Sequence, residues 1–105
     1  MLYILNSAVL TAYGLFEYSP LAIDTAADMV RCEEFTSAIG HEATAQVLSE
    51  LLLKQIPCNR IQITMQPGEQ AIVFRLKFRP EEGKVSTTMN HDDYELGLLT
   101  MLDVL

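Results

Sequence analysis

The spacing of apolar positions changes along this chain, and the changes divide it into elements. Leu2-Tyr3-Ile4-Leu5-Asn6 is a short, nearly continuous apolar run, the pattern of a strand buried on both faces. Further on, Leu21, Ile23, Ala26, Ala27 and Val30 recur at helical spacing. Ser19-Pro20 ahead of them has the form of a helix start, a capping residue followed by proline in the first turn. This helix is expected to end near Arg31. A second helical stripe comprises Ala43, Val47, Leu48, Leu51 and Leu52, with Glu42, Gln46, Ser49 and Glu50 on the opposite side. It predicts a helix opening around Gly40-His41 and running to about Leu53, with Pro57 discouraging continuation.

Beyond Pro57 the period falls to two. Arg60-Ile61-Gln62-Ile63-Thr64-Met65 and Ala71 through Arg79 both alternate, and Pro67-Gly68-Glu69 between them is a turn sequence, so the pair predicts an antiparallel hairpin. In its second strand Phe74, Leu76 and Phe78 share one face and Arg75, Lys77 and Arg79 the other, one side core and one side basic. Residues 80–93 read as an irregular connection. Tyr94 to Leu102 is long and apolar enough for another buried strand. The expected fold class is α/β: one small domain over 1–105, with a mixed β-sheet of about four to five strands flanked by helices.

A chain of 105 residues buries roughly two-thirds of its unfolded surface in a single core. Half the residues are apolar and 20% charged, a globular composition. No repeat or linker marks a second domain. The N-terminal apolar run lacks a basic flank and falls short of the ~20 residues a membrane-spanning helix needs, so no membrane association is expected and the cytoplasm is the expected compartment. Cys32 and Cys58 lie without CxxC or Cys/His spacing and are expected to be core thiols, with no metal site.

The net charge of −7 argues against binding long nucleic acid, which calls for a basic face. Yet six of the seven basic residues fall between positions 54 and 84, opposed there by three glutamates, so that stretch is +3 and the remainder −10. A local positive site on an acidic protein suits a small anionic ligand; the same charges also suit solvated strand faces.

Gly40-His41 is the most informative dipeptide. Glycine lets the backbone approach a ligand, and the helix turn after it offers unpaired N–H groups to a phosphate. The imidazole there could hydrogen-bond the anion or protonate a leaving oxygen, although a histidine at a helix start is also an ordinary solvated residue. Arg79-Pro80-Glu81-Glu82-Gly83-Lys84 puts an arginine fit for a bidentate phosphate grip next to carboxylates that could orient a histidine or a ribose hydroxyl; its plainer reading is a polar turn. Asn59-Arg60 and Asn6-Ser7 are further polar pairs at expected strand ends, the edge where open α/β sheets bind ligands. GxGxxG, Walker A, GxSxG and HExxH motifs are all absent, which removes the parts for the corresponding nucleotide, hydrolase and zinc chemistries.

In combination and in this order, Ser37-Ala38-Ile39-Gly40-His41-Glu42-Ala43-Thr44, Asn59-Arg60-Ile61 and Arg79-Pro80-Glu81-Glu82-Gly83-Lys84, following an Asn6-terminated strand, resemble the small viral ring nucleases that act as type III anti-CRISPR proteins. Relatives of these also occur in bacterial genomes, phages and mobile elements. The resemblance covers nearly the whole chain. It implies an α/β homodimer that encloses cyclic tetra-adenylate, the second messenger of type III CRISPR complexes, and cuts it without cofactor or metal to linear di-adenylate ending in a 2′,3′-cyclic phosphate. By the same resemblance His41 is the general acid and Glu82 its electrostatic or positioning partner. Arg60 and Arg79 hold phosphate and Asn6 lines the pocket, with Gly40 and Arg75 counted among the substrate-binding residues. Val85 to Asp93 departs from the glutamate-rich helix of that family and forms helix less readily, which bears on turnover and on ring size. Two other classes remain open: a non-catalytic sponge for the cyclic nucleotide, and a structural or regulatory dimer.

Overall fold

The structure, a computed structural model, describes residues 2–6, 13–76 and 94–103. Its elements are β1 (Leu2–Leu5), β2 (Leu15–Pro20), α1 (Ile23–Cys32), β3 (Phe35–Ser37), α2 (Glu42–Leu52), β4 (Gln70–Leu76) and β5 (Tyr94–Asp103). Among the described residues they form one five-stranded mixed sheet in the order β2-β5-β4-β1-β3, so the α/β architecture expected from the pattern is the one observed. β1 runs parallel to both β3 and β4, with Ile4 opposite Ser37 and Ile72. β5 runs antiparallel to β4 and to β2. Four strands therefore point to one edge of the sheet, and only β5 runs back.

Both helices pack on one face, over Leu2, Ile4, Ile72 and Phe74, where Val30 of α1 and Leu48 and Leu52 of α2 complete the larger core. Phe74, fully buried, meets Tyr94 with ring centroids 5.5 Å apart, a tilted pairing of two aromatic residues from neighbouring strands. The opposite face carries a smaller core of Leu5, Met65, Ala71, Val73, Leu99 and Met101.

That second core corrects the hairpin expectation. Residues 60–65 form no strand. β4 already has β1 on one side and β5 on the other, so no edge is left for them to pair with. Their alternation is satisfied another way: they drape across the sheet, placing Met65 and Ile63 on the second core. The turn at Pro67-Gly68 does form, with Gly68 at φ 91°, a conformation glycine adopts without steric cost. It feeds the drape into β4, tied by Gly68 N–H to the Met101 carbonyl at 2.8 Å.

The one-sided reading of β4 holds at Phe74, Arg75 and Leu76 but not for the residues before them, for the same reason. Ala71, Ile72, Val73 and Phe74 are all buried, and the polar face begins only at Arg75. Ser19-Pro20 does not start a helix either. These residues end β2, where Leu15, Phe16 and Tyr18, good strand formers, pair along β5. Pro20 is tolerated because β2 lies at the sheet edge, and α1 starts after Ala22, without a side-chain cap. Cys32 and Cys58 are exposed free thiols rather than core residues: Cys32 is the last residue of α1 and Cys58 sits in the connection after α2. Residues 77–93, including the expected irregular connection, lie outside the described residues. Among the described residues no helix is long and apolar enough to cross a membrane.

Candidate functional site

The edge to which β1, β2, β3 and β4 point is also where both helices begin, α1 after β2 and α2 after β3. In open α/β sheets this carboxyl edge is the usual ligand side, because loops and helix N-termini gather there. Asn6 follows β1 at this edge and is half-buried. β3 leads into the loop Ala38–His41, whose first amide donates to the Ile4 carbonyl at 2.8 Å and so prolongs the β1 pairing beyond Ser37. Ile39 is fully buried and anchors this loop in the core, while Gly40 is half-buried and His41 exposed.

His41 stands at the helix start, as the pattern suggested. It is the N-cap of α2, with an extended backbone and no side-chain cap hydrogen bond. Its imidazole is therefore not spent on the helix end, and the first-turn amides of α2, which begin at Glu42, face outward beside it. Glu42 in that turn puts one negative charge next to the site.

A second segment, Pro57 to Arg60, is stitched to this loop. The Ser37 hydroxyl donates to the Pro57 carbonyl at 2.6 Å, and the Asn59 side-chain amide donates to the Ser37 carbonyl at 2.9 Å. Asn59 N–H reaches the Ile39 carbonyl at 2.8 Å, and Arg60 Nε–H reaches the Gly40 carbonyl at 2.8 Å. A Cβ on Gly40 would lie 3.4 Å from Arg60 Cγ, so the arginine stem packs against the glycine. With Nε engaged, the terminal guanidinium nitrogens of exposed Arg60 are carried beside the start of α2. The segment owes its path to Ser49, whose hydroxyl donates to the Ala45 carbonyl at 2.7 Å and accepts from Ile56 N–H at 2.9 Å, turning the chain back after Leu53. Leu53 makes that turn in the left-handed conformation at φ 54°.

Of the residues singled out from the sequence, Asn6, Gly40, His41 and Arg60 thus gather at one edge. Arg75 lies one residue before the end of β4 at this same edge, two strands from β3, and pairs there with Glu95 of β5 at 3.4 Å on an exposed surface. The other Glu95 oxygen accepts from Tyr18 at 2.9 Å, and burial first, then this hydrogen bond, pushes the Tyr18 phenol up to about 12. Arg79 and Glu82 lie outside the described residues; β4, from which they follow, ends at this same edge with Leu76.

Ser37 and Asn59 received no individual role from the sequence, yet both hold the loop. Ser37 is 3% exposed, one of two buried polar residues among those described. A buried serine needs hydrogen-bond partners, but which ones it finds depends on a chain segment twenty residues away. A cleft of about 630 Å³ borders the site. It runs along α2 from Glu42 past Ser49 and is closed by Lys54, Pro57 and Cys58, stopping short of His41 and Arg60. Among the described residues no group of three His, Cys, Asp or Glu side chains could hold a metal ion.

A family model described as STIV B116-like matches residues 2–96. The chain is 45% identical over 93 residues to Uncharacterized protein 26 of Sulfolobus islandicus filamentous virus, covering 85% of this chain and 79% of that one. It is 32% identical over 103 residues to an uncharacterized protein of Bacillus subtilis, covering 94% of this chain and 95% of that one. The solved structure of B116 of Sulfolobus turreted icosahedral virus superposes with a TM-score of 0.83 at 18% identity, covering 94% of this chain and 97% of that one, which is a likeness of fold.

Proposed function

The chain belongs to the STIV B116-like family, and from that starting point we propose that it is a ring nuclease: a homodimer that encloses cyclic tetra-adenylate and cleaves it without a metal. The observation that carries this reading is the convergence of Gly40, His41 and Arg60 at the carboxyl edge of the sheet, with the Arg60 guanidinium tied to Gly40 and the first turn of α2 open beside them. Helix-start amides and an arginine fork hold phosphate. An uncommitted imidazole beside a held phosphate is placed to give a proton.

In the proposed reaction a ribose 2′-hydroxyl attacks the adjacent phosphorus, its proton passing to water. The bond from phosphorus to the 5′-oxygen breaks, and His41 protonates that oxygen as it leaves. A 2′,3′-cyclic phosphate results, and two such cuts across a two-fold axis yield two linear di-adenylates. No external nucleophile is required, so alignment, charge neutralisation and a proton donor carry the rate. Arg79 and Glu82, which come after β4 in the sequence, are proposed as a second phosphate holder and as the partner that orients His41. A two-fold dimer suits a ring of four identical nucleotides, and a single 105-residue chain offers too small an edge to surround one.

The test is to incubate the pure protein with cyclic tetra-adenylate in EDTA and separate the products by chromatography. The reading expects di-adenylate with a cyclic phosphate terminus. Retention of intact ring replaces it with a binding protein that sequesters the nucleotide, and neither retention nor cleavage removes the nucleotide altogether.

A further inference from the structure

The loop that would present the helix start and His41 to a ligand is not held by its own sequence. It has one backbone bond to β1, from Ala38. Every other hydrogen bond described for residues 37–40, apart from the local one between Ile39 N–H and the Ser37 hydroxyl, is made with residues 57–60. Of these, the only side-chain donors from 57–60 are Asn59 and Arg60. Arg60 is exposed and needed for a ligand, whereas Asn59 is half-buried and reaches two residues of the loop, with its amide group on Ser37 and its backbone on Ile39.

We infer that Asn59, with Ser37 beneath it, is a latch that fixes the Ser37–His41 loop before ligand arrives and acts as a positioning residue for His41. The chemistry of the pair is specific. Asn59 donates to a carbonyl, so a carboxylate in its place puts two acceptors face to face. Ser37 donates to the Pro57 carbonyl, which can only accept, so the hydroxyl proton is committed in one direction. That leaves its lone pairs for Ile39 N–H at 3.4 Å. The latch thus ties Ser37 to residues on both sides of Cys58, Pro57 and Asn59, and ties Ile39 to Asn59. An intramolecular transesterification depends on alignment more than on strong bases, and misplacing a catalytic group by about 1 Å can cost on the order of 10²-fold in rate.

The part of this inference that concerns His41 rests on the proposed cleavage reaction, whereas the latch itself does not, and the experiment separates them. Amide hydrogen exchange by NMR is compared for wild type, Asn59→Ala, Asn59→Asp and Ser37→Ala. Faster exchange at residues 38–43, with β4 and β5 amides unchanged, supports the latch; unchanged exchange at 38–43 in folded variants overturns it. Should Asn59→Asp fail to fold, Ser37→Ala removes only one oxygen and reads the same loop. Single-turnover cleavage of cyclic tetra-adenylate is then measured alongside its affinity. Asn59→Ala is expected to slow cleavage by about 10²-fold at nearly unchanged affinity, and to slow His41→Ala no further, because both act through one group. An additive loss in the double variant, or loosening of the loop with no change in rate, overturns the positioning role. If wild type cleaves nothing, the nuclease reading fails, the positioning role for His41 falls with it, and the exchange result alone decides the latch.

Discussion

Arg60 donates its Nε–H to the carbonyl of Gly40 at 2.8 Å, twenty residues earlier in the chain. One interaction therefore both ties down the last residue of the loop ahead of His41 and positions a guanidinium beside it. Replacing Arg60 removes a cation and loosens a loop at once.

Arg60→Ala is expected to weaken binding of cyclic tetra-adenylate by roughly 10- to 100-fold, the equivalent of a charged hydrogen bond worth about 1.5–3 kcal/mol. Arg60→Lys is expected to recover little of this, because a lysine ammonium has neither the fork nor an Nε–H placed for the Gly40 carbonyl. Calorimetric titration measures both. Unchanged affinity in Arg60→Ala would show that this guanidinium is only a solvated charge holding a loop.

Tyr18 lies directly over Gly97 of the neighbouring strand, where a Cβ would fall 2.4 Å from the ring. Gly97→Ala is expected to destabilise the fold by about 1–3 kcal/mol, the usual cost of forcing an atom into a packed site. The penalty should largely vanish in a Tyr18→Ala background, since the three atoms nearest that Cβ all belong to Tyr18. Urea denaturation of the four proteins gives the comparison, and an equal penalty in both backgrounds would contradict it.

The Tyr18 phenol, raised to about 12 by burial and by its bond to Glu95, links stability to alkaline pH. An unfolded tyrosine ionises near pH ~10. Between that pH and about 12 the folded state keeps the phenol proton that the unfolded state has lost, so stability falls as pH rises through this window. Below it the contribution is fully present. Urea midpoints across the window should drop less steeply for Tyr18→Phe than for wild type, and parallel curves would show that Tyr18 does not carry the effect.

The elements that the sequence revealed are those whose pattern matched a fully formed environment. β1 and β5 are long or continuous apolar runs and sit inside the sheet. α2 has a complete stripe, with Val47, Leu48 and Leu52 buried. Three residues define β3, and its pairing with β1 is dictated by the helices on either side rather than by Phe35, Thr36 and Ser37 themselves. In β2 the pattern of exposure follows no simple alternation, and Ser19-Pro20 carried a stronger local signal for a helix than the strand did for itself. The drape at 60–65 alternates like a strand because one side of it lies on a core; period two reports a half-buried extended chain, not its pairing. At the site, the residue types of Gly40, His41 and Arg60 announced anion chemistry, whereas the work of Ser37 and Asn59 depends on which distant carbonyl each one meets. Arg75 shared its charge with the other basic residues of its segment, while its pairing with Glu95, twenty positions later, is a contact the sequence did not announce.

The most direct measurement is single-turnover cleavage of cyclic tetra-adenylate by His41→Ala. His41 caps α2 without a hydrogen bond from its side chain and is exposed, so its loss should leave the fold intact by circular dichroism and leave ring binding, which depends on Arg60 and the helix start, largely in place. If His41 gives the proton to the departing 5′-oxygen, the rate should fall by about 10²- to 10⁴-fold, the range for removal of a general acid. A folded His41→Ala protein that binds the ring and cleaves it as fast as wild type would contradict the account.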